Sequence, residues 1–263
     1  MNEEKETLQE ETPKEEKKET PAPSISIHGL VKSYGEKKVL TGLDLEVYPG
    51  ELYGFIGKNG VGKTTTIDCL IGAKSFEKGE ILIEGKSIKK NPVEAKKCFG
   101  YVASEPTCYE VMTGYDYLDF IASVYGLTEE ELRKNRNYLA KRLDLKEEDM
   151  ALPISSYSHG MKQKICLIAS LLHTPDIWIL DEPTVGLDVM AVEALKKMMR
   201  DYASSGHTVL ITSHNIELVA ALCDRVGIVN HGKIAKSLNL KKETNYRLRL
   251  PAIFLKEYQE EKK

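Results

Sequence analysis

A glycine-rich segment that joins a short apolar run to a helix-forming stretch sets the strongest limit on how this chain folds. Residues 52 to 56, LYGFI, are followed by GKNGVGKTT at residues 57 to 65, and residues 66 to 71 continue with a helical pattern. This order of strand, glycine loop and helix is typical of a loop that wraps around phosphate groups. We therefore predict a phosphate-binding loop between a strand and the start of a helix.

The residue types in this loop suit a bound phosphate chain. Glycines allow the backbone to approach phosphate oxygens closely, because a Cβ would occupy the space of the anion. The N–H groups at the helix start favour negative charge, Lys63 adds a positive charge, and the hydroxyl of Thr64 suits Mg²⁺. The predicted phosphate-contacting residues are Gly57, Lys58, Asn59, Gly60, Val61, Gly62, Lys63, Thr64 and Thr65.

Two carboxylates follow a second apolar run. Residues 177 to 180, IWIL, lead into Asp181 and Glu182, and a buried parallel strand delivers such side chains to the carboxyl edge of its sheet. Taken alone, adjacent carboxylates are typical of a solvated strand end. Beside a phosphate loop, they predict that Asp181 holds Mg²⁺ through water and that Glu182 orients or deprotonates an attacking water.

Composition and pattern divide the rest of the chain. Residues 1 to 23 contain eight Glu and four Lys with few apolar side chains, which predicts a disordered charged tail. Short apolar runs from residue 24 predict strands, and residues 107 to 160 have helical patterns, in which Thr113 and Asp116 open one helix and a capping box of Thr128 and Glu131 opens another. Helices and strands alternate after residue 160, which predicts an α/β fold with a parallel sheet covered on both faces.

Charge, hydropathy and cysteine content exclude several classes of protein. The net charge of −3 lacks the basic excess of a dedicated nucleic-acid binder, so no nucleic-acid partner is expected. The longest apolar runs are far shorter than the roughly 18 to 20 residues that span a bilayer. The five cysteines are scattered and lack metal-ligand spacing, and no secretory leader is evident, so we expect free thiols in a reducing cytoplasm.

Four further motifs surround the loop and the acidic pair. They are SYG at residues 33 to 35, YSHGM at residues 157 to 161, GLD at residues 186 to 188, and His214 after an apolar run. With these motifs in this order and spacing, the chain resembles the ATP-binding subunit of an ABC transporter over about residues 25 to 237. The resemblance implies ATP and Mg²⁺ as cofactors.

The resemblance also implies the architecture. It predicts a P-loop NTPase fold of the ABC ATPase type, with a RecA-like parallel sheet core, an N-terminal antiparallel β subdomain and a helical subdomain at about residues 107 to 160. The ABC ATPase domain would occupy residues 24 to 237, and residues 238 to 263 would form a C-terminal extension. In that extension, Tyr246, Leu248 and Leu250 have the spacing of a strand, and a charged helical end is expected from Ala252.

Site roles come from the same resemblance. Tyr34 matches the aromatic that stacks on adenine, His214 the switch histidine that contacts the γ-phosphate, and Asp188 lies in the loop that links two subunits. Ser158 and Gly160 would face the nucleotide of a partner subunit, where the start of a helix offers a second anion site. The expected catalytic residues are Glu182, His214 and Lys63.

Structural roles stay open for three of these residues. Tyr34 fits an ordinary strand end, His214 fits a turn or a helix N-cap, and Asp188 fits the N-cap of the helix that begins near residue 189. For Asp188 the structural and functional roles are compatible with each other.

The chain departs from the family pattern in two places. Ser104 stands where the family usually has Gln in the loop between the two lobes, and Glu105 follows as an alternative oxygen donor, so both are candidate Mg²⁺ ligands. The signature carries His159 and Met161 in place of Gly and Gln. The serine hydroxyl remains, which favours a divergent but working site.

The implied function is ATP hydrolysis that powers transport, with export favoured, through a separate transmembrane permease subunit. Two ATPase subunits, identical or not, would close head to tail at the cytoplasmic face of the membrane. Tyr109, Met112 and Tyr115 are candidates for the permease contact, although a place in the core explains them equally well. The alternatives are a soluble ABC ATPase of an assembly or regulatory scaffold, as in iron–sulfur cluster assembly, and a module that no longer hydrolyses ATP.

Overall fold

Two sheets and a set of helices make up the chain in a computed structural model that describes residues 21–259. Apart from its last three residues, the tail predicted to be disordered lies outside the described residues. The strands are β1 Ile25–Tyr34, β2 Lys37–Val47, β3 Leu52–Ile56, β4 Lys78–Ile83, β5 Lys86–Ser87, β6 Phe99–Val102, β7 Ile177–Asp181, β8 Thr208–Ser213, β9 Arg225–Asn230 and β10 Lys233–Asn239. The helices are α1 Lys63–Leu70, α2 Pro92–Lys97, α3 Gly114–Tyr125, α4 Glu129–Leu143, α5 Glu147–Met150, α6 His159–Leu171, α7 Val189–Ser204, α8 Ile216–Leu222 and α9 Thr244–Gln259.

The smaller sheet has the strand order β2-β1-β4-β5 and is antiparallel throughout. Strands β1 and β2 form a hairpin whose register pairs Ile25 with Val47 and Tyr34 with Lys37. Gly35 has φ 58° at the turn, a left-handed conformation that glycine adopts without steric cost. The hairpin therefore carries Tyr34 and Lys37 out at its tip.

The larger sheet has the order β10-β9-β3-β8-β7-β6. Strands β9, β3, β8, β7 and β6 are parallel, and β10 pairs antiparallel with β9. Every residue of β3, β7 and β8 is buried, as expected for strands covered on both faces. The predicted α/β fold with a parallel core, an antiparallel sheet and helices is confirmed.

Parallel pairing brings several strand ends to one edge of this sheet. The register aligns Ile56 of β3 with Ser213 of β8, and Thr212 of β8 with Asp181 of β7. Strand β6 lies beside β7, with Val102 opposite Leu180. The phosphate loop, the acidic pair, His214 and Ser104 each follow one of these strands, so all of them begin at the same edge.

Helix α6 packs unusually close to the edge strand β6. A Cβ on Gly100 would lie 1.8 Å from the carbonyl oxygen of Ser170, so only glycine allows this approach. The hydroxyl of Ser170 also accepts a hydrogen bond of 3.0 Å from Nε1 of the buried Trp178 in β7. Helix α6, which begins just after Ser158, is thereby held against the edge of the sheet that carries the acidic pair.

Capping boxes open both α3 and α4, where the sequence predicted a helix start at Thr113 and a capping box at Thr128. Thr113 caps α3 by accepting from the N–H of Asp116, and Thr128 caps α4 by accepting from the N–H of Glu131. Each acidic side chain reaches back to the N–H of its threonine, so two helical N–H groups that lack helical partners are satisfied at each start. Both predicted helix starts are confirmed.

The predicted strand at residues 246 to 250 is wrong, because these residues belong to helix α9. Leu250 is fully buried in the core, whereas Leu248 is 87% exposed, and a strand would have put both on the same face. Tyr246, Phe254 and Tyr258 lie on the buried side together with Leu250, at the spacing of four residues that defines one helix face. Strand β10 also runs across residue 238, where the C-terminal extension was predicted to begin.

This helical register predicts that alanine substitution lowers the free energy of unfolding strongly at Leu250 and hardly at all at Leu248. Leu250→Ala should lower the free energy of unfolding by about 3 kcal/mol, because it leaves a cavity in the core. Leu248→Ala should change it by less than about 0.5 kcal/mol, because the side chain is already in water. Urea unfolding of both variants measures the difference, and equal losses would contradict the helix.

Candidate active site

A cleft of about 320 Å³ opens at the edge of the sheet where the parallel strands end. It combines the phosphate loop, the acidic pair and the tip of the β1–β2 hairpin. The residues that line it are Lys37, Val39, Asn59, Gly60, Gly62, Lys63, Thr64, Thr65, Ser104, Asp181 and Glu182. Most residues predicted to contact phosphate or Mg²⁺ therefore meet in one cavity.

The phosphate loop is tightly packed against its surroundings. Gly62 has φ 114° at the start of α1, and a Cβ there would lie 2.8 Å from a methyl group of Leu40. The ammonium of Lys63 donates hydrogen bonds to the carbonyl oxygens of Gly57, at 2.7 Å, and Lys58, at 3.3 Å. Burial lowers the pKa of Lys63, and the nearby Glu182 and Asp181 oppose that shift. The loop thus holds a buried positive charge beside two carboxylates.

A single hydroxyl organises the acidic pair. The hydroxyl of Thr212 in β8 donates to Oδ1 of Asp181, and its oxygen accepts from the N–H of Glu182 at 3.1 Å. Burial raises the pKa of Asp181, while the bond from Thr212 opposes the shift. Glu182 has φ 48°, a left-handed conformation that is uncommon outside glycine. Thr212 carries no signal of this role in the sequence, because it reads as one more residue of an apolar strand.

The side chains of Glu182 and His214 lie against each other, although only Glu182 lines the cleft. Nδ1 of His214 lies 2.9 Å from Oε2 of Glu182, but the contact lacks hydrogen-bond geometry. Oε2 is buried, and the described residues give it no hydrogen bond. His214 does not cap the next helix, because Asn215 does so by accepting from the N–H of Leu218 at 2.9 Å. The arrangement leaves a carboxylate oxygen able to accept a proton beside an exposed imidazole.

Oxygen donors for a divalent cation lie along one wall of the cleft. Thr64, Ser104 and Asp181 all line it, and the buried Oε2 of Glu182 lies beside them. Mg²⁺ takes oxygen ligands and binds through one or two protein groups together with water and substrate phosphates, so these donors fit it. Glu105, the second candidate in that loop, is exposed and does not line the cleft. No cluster of three His, Cys, Asp or Glu with metal-ligand geometry occurs among residues 21–259.

Five residues that the resemblance singled out lie apart from the lining of this cleft, namely Tyr34, Ser158, Gly160, Asp188 and His214. Tyr34 is exposed at the end of β1, with the ammonium groups of Lys32 and Lys74 within 5.1 and 5.5 Å of its ring centre. Ser158 caps α6 by accepting from Met161 N–H at 3.2 Å. Asp188 caps α7 in the same way, which establishes its structural role.

The signature segment touches the loop that follows the acidic pair. A Cβ on Gly186 would lie 1.9 Å from Cδ2 of His159, and one on Gly160 would lie 2.9 Å from the carbonyl oxygen of Gly186. Gly186 also has φ 77°, so glycine is required there both for conformation and for space. The unusual His159 therefore packs against the GLD motif of its own chain.

Comparison with known proteins defines the class. The family model described as "ABC transporter" matches residues 40–185. The linearmycin resistance ATP-binding protein LnrL of Bacillus subtilis strain 168 is 34% identical over 210 residues, which is 80% of this chain and 67% of that protein. The Nod factor export ATP-binding protein I of Ralstonia nicotianae is 32% identical over 211 residues, 80% of this chain and 65% of that protein. A solved ATP-binding subunit of an ABC transporter superposes with a TM-score of 0.80 and 29% identity, covering 88% of this chain and 93% of that one.

The chain belongs to the ABC transporter ATP-binding family. It is an ATP-binding subunit with ATPase activity that powers transport. The alternative of a scaffold ATPase for cluster assembly is not favoured by these relatives. Between residues 21 and 259, no helix has the length and apolar character needed to cross a membrane.

The double role of the Thr212 hydroxyl predicts a specific loss of activity. Thr212→Val keeps the shape of the side chain but removes the bonds to Asp181 and Glu182, so ATP turnover should fall about tenfold. Thr208→Val is the matched control, because Thr208 is equally buried at the other end of β8 and donates to the Tyr48 carbonyl at 3.3 Å. Steady-state ATPase assays compare the two, and equal turnover in both variants would contradict the assignment.

Proposed function

We propose that this chain binds MgATP in the 320 Å³ cleft and hydrolyses it to drive export through a separate membrane subunit. The observation that carries the chemistry is the placement of the buried Lys63 and the strained Glu182 on the lining of one cleft. Lys63 and the backbone N–H groups of the loop bind the phosphates and neutralise charge that develops during transfer. Tyr34, at the tip of the adjoining hairpin, stacks on the adenine.

Thr64 and Asp181 would hold Mg²⁺, with Ser104 as a third oxygen donor on the same wall. The ion supplies charge neutralisation at the phosphate oxygens. Thr212 keeps Asp181 oriented toward this position. Glu105 is exposed and does not line the cleft, so of the two candidates in that loop we retain Ser104.

Glu182 orients the attacking water and accepts its proton. Its Oε2 is buried and lacks a hydrogen bond from the described residues, which makes it a strong acceptor for a water in the cleft. His214 lies next to that oxygen and would contact the γ-phosphate of the bound nucleotide. No covalent intermediate is needed, because positioning and charge stabilisation carry the reaction.

Replacing this carboxylate should separate binding from turnover. Glu182→Gln should lower ATP turnover at least about 100-fold, since the proton acceptor is lost, while MgATP binding persists and a closed dimer accumulates. Glu217→Gln is the control, because Glu217 is an exposed acid in the first turn of α8. ATPase assays and gel filtration with MgATP test this, and near-normal hydrolysis by Glu182→Gln would remove Glu182 from the catalytic role.

The dimer is the second part of the proposal. Ser158, Gly160 and Asp188 would contact the nucleotide and loop of a second ATPase subunit arranged head to tail. Ser158 and Asp188 are exposed, and Val189 and Met190 beside them leave large apolar side chains in water. Exposed apolar groups next to an anion-binding helix start suit a surface that a partner covers.

The contact with the membrane subunit is proposed on the loop before α3. Tyr109 and Val111 are strongly exposed there, and the Tyr109 ring packs edge-on against Phe120 at 5.6 Å. Met112 and Tyr115, the other two sequence candidates, are partly buried against the core, so they support this surface from beneath. We propose export as the direction of transport because one relative is named for Nod factor export. The protein would then work at the cytoplasmic face of the membrane.

Purification of the tagged chain from detergent-solubilised membranes tests the coupling. We expect a polytopic membrane protein in stoichiometric amount, identified by mass spectrometry. Val111→Asp should abolish that recovery, because it places a charge on the apolar contact. Val93→Asp is the control, because it places the same charge on another exposed valine, in α2. Val93 is 63% exposed, compared with 93% for Val111. Recovery of the wild-type chain with soluble proteins alone would contradict the transport proposal.

A further inference from the structure

Helix α9 reaches the phosphate loop from the opposite end of the described chain. Tyr258, in its last turn, is 8% exposed, and its hydroxyl accepts a hydrogen bond of 3.1 Å from the backbone N–H of Lys58. The same hydroxyl donates to the carbonyl oxygen of Val229 in β9. The ammonium of Lys58 lies 4.3 Å from the centre of the Tyr258 ring. Tyr258 therefore holds both the backbone and the side chain of a phosphate-loop residue.

The surroundings of Gly57 show how close this contact is. A Cβ on Gly57 would lie 3.2 Å from the Tyr258 hydroxyl and 3.0 Å from the Val229 carbonyl oxygen. Strand β9 pairs directly with β3, with Ile228 opposite Ile56. The hydroxyl thus sits where β3 ends and the phosphate loop begins, and it joins that point to the neighbouring strand.

Helix α9 is itself firmly anchored. Leu250 is fully buried in the core, and Arg247 donates to the carbonyl oxygen of Ala220 in α8 at 2.5 Å. Near its end, Asn230 donates to the Glu257 carbonyl oxygen at 2.9 Å, and Lys236 pairs with the Glu257 carboxylate at 3.2 Å. These contacts fix the position of Tyr258 relative to β9 and β10.

We propose that Tyr258 is a positioning residue for nucleotide binding, which acts by holding the phosphate loop at Lys58 in its phosphate-binding conformation. The hydroxyl contacts the loop from behind and does not line the cleft, so it acts through the loop and not on the nucleotide. Fixing the Lys58 peptide limits the conformations of the first turn of the loop. A loop that is ordered before binding loses less entropy when it closes on phosphates. The inference rests on the proposed nucleotide site.

Tyr258→Phe tests this role in the full-length chain, because it removes the hydroxyl and keeps the ring beneath Lys58. We expect MgADP, used as a probe that is not hydrolysed, to bind about three- to tenfold more weakly by titration calorimetry. Hydrogen exchange without nucleotide should show faster exchange of the Lys58 amide, which has lost its acceptor. If Tyr258 only anchored α9, exchange would instead rise across α9 and β9 together.

Tyr246→Phe is the matched control, because Tyr246 lies on the same face of α9, packs against the same core, and its hydroxyl makes no hydrogen bond to the described residues. It should leave MgADP affinity and Lys58 exchange unchanged. The proposal is overturned if Tyr258→Phe binds MgADP within about twofold of the wild type, or if its Lys58 amide exchanges at the wild-type rate. A wild-type chain that fails to bind MgADP would instead overturn the proposed nucleotide site.

Discussion

The parallel register of β7, β8 and β3 is the constraint on which the site depends. It places Asp181 opposite Thr212, and Ser213 opposite Ile56, so the acidic pair, His214 and the phosphate loop all start at the same level. A slip of one residue would turn every side chain to the other face of the sheet. Asp181 would then lose the Thr212 hydroxyl and the cleft would lose its carboxylate. Because all three strands are buried on both faces, packing holds this register firmly.

Burial of opposite charges gives the cleft its chemical character. The pKa of Lys63 is lowered and that of Asp181 is raised, in both cases chiefly by burial, and each charge partly offsets the shift of the other. Removing charged groups from water costs free energy, and other interactions in the folded domain must offset that cost. Here the fully buried β3 and the core around Trp178 contribute that stability. A preorganised charge pair of this kind suits a reaction in which charge on phosphate oxygens must be neutralised.

Local patterns predicted much of the fold and part of the site. The glycine loop, the acidic pair and both helix starts depend on residues adjacent in sequence, so their spacing carries the information. Thr212 and Tyr258 were missed because their roles depend on contacts across 31 and 200 residues of chain. The misassigned strand in α9 has a similar cause: three apolar residues at alternate positions fit a strand locally, and only the core shows that Leu248 faces water. The assigned roles of Ser158, Glu182 and His214 stay predictions that rest on geometry and resemblance.

The long-range contact at Lys58 connects the order of the phosphate loop to completion of the fold. Bringing together two residues 200 positions apart has an entropy cost, which the packing of α9 helps to offset. Helix α9 also bonds to α8, which directly follows His214, through Arg247 and Ala220. One helix thus contacts both the phosphate loop and α8, the helix that begins at Ile216, two residues after His214. Because packed rigid elements carry coupling between distant parts of a fold, a displacement of α9 would affect both the phosphate loop and α8.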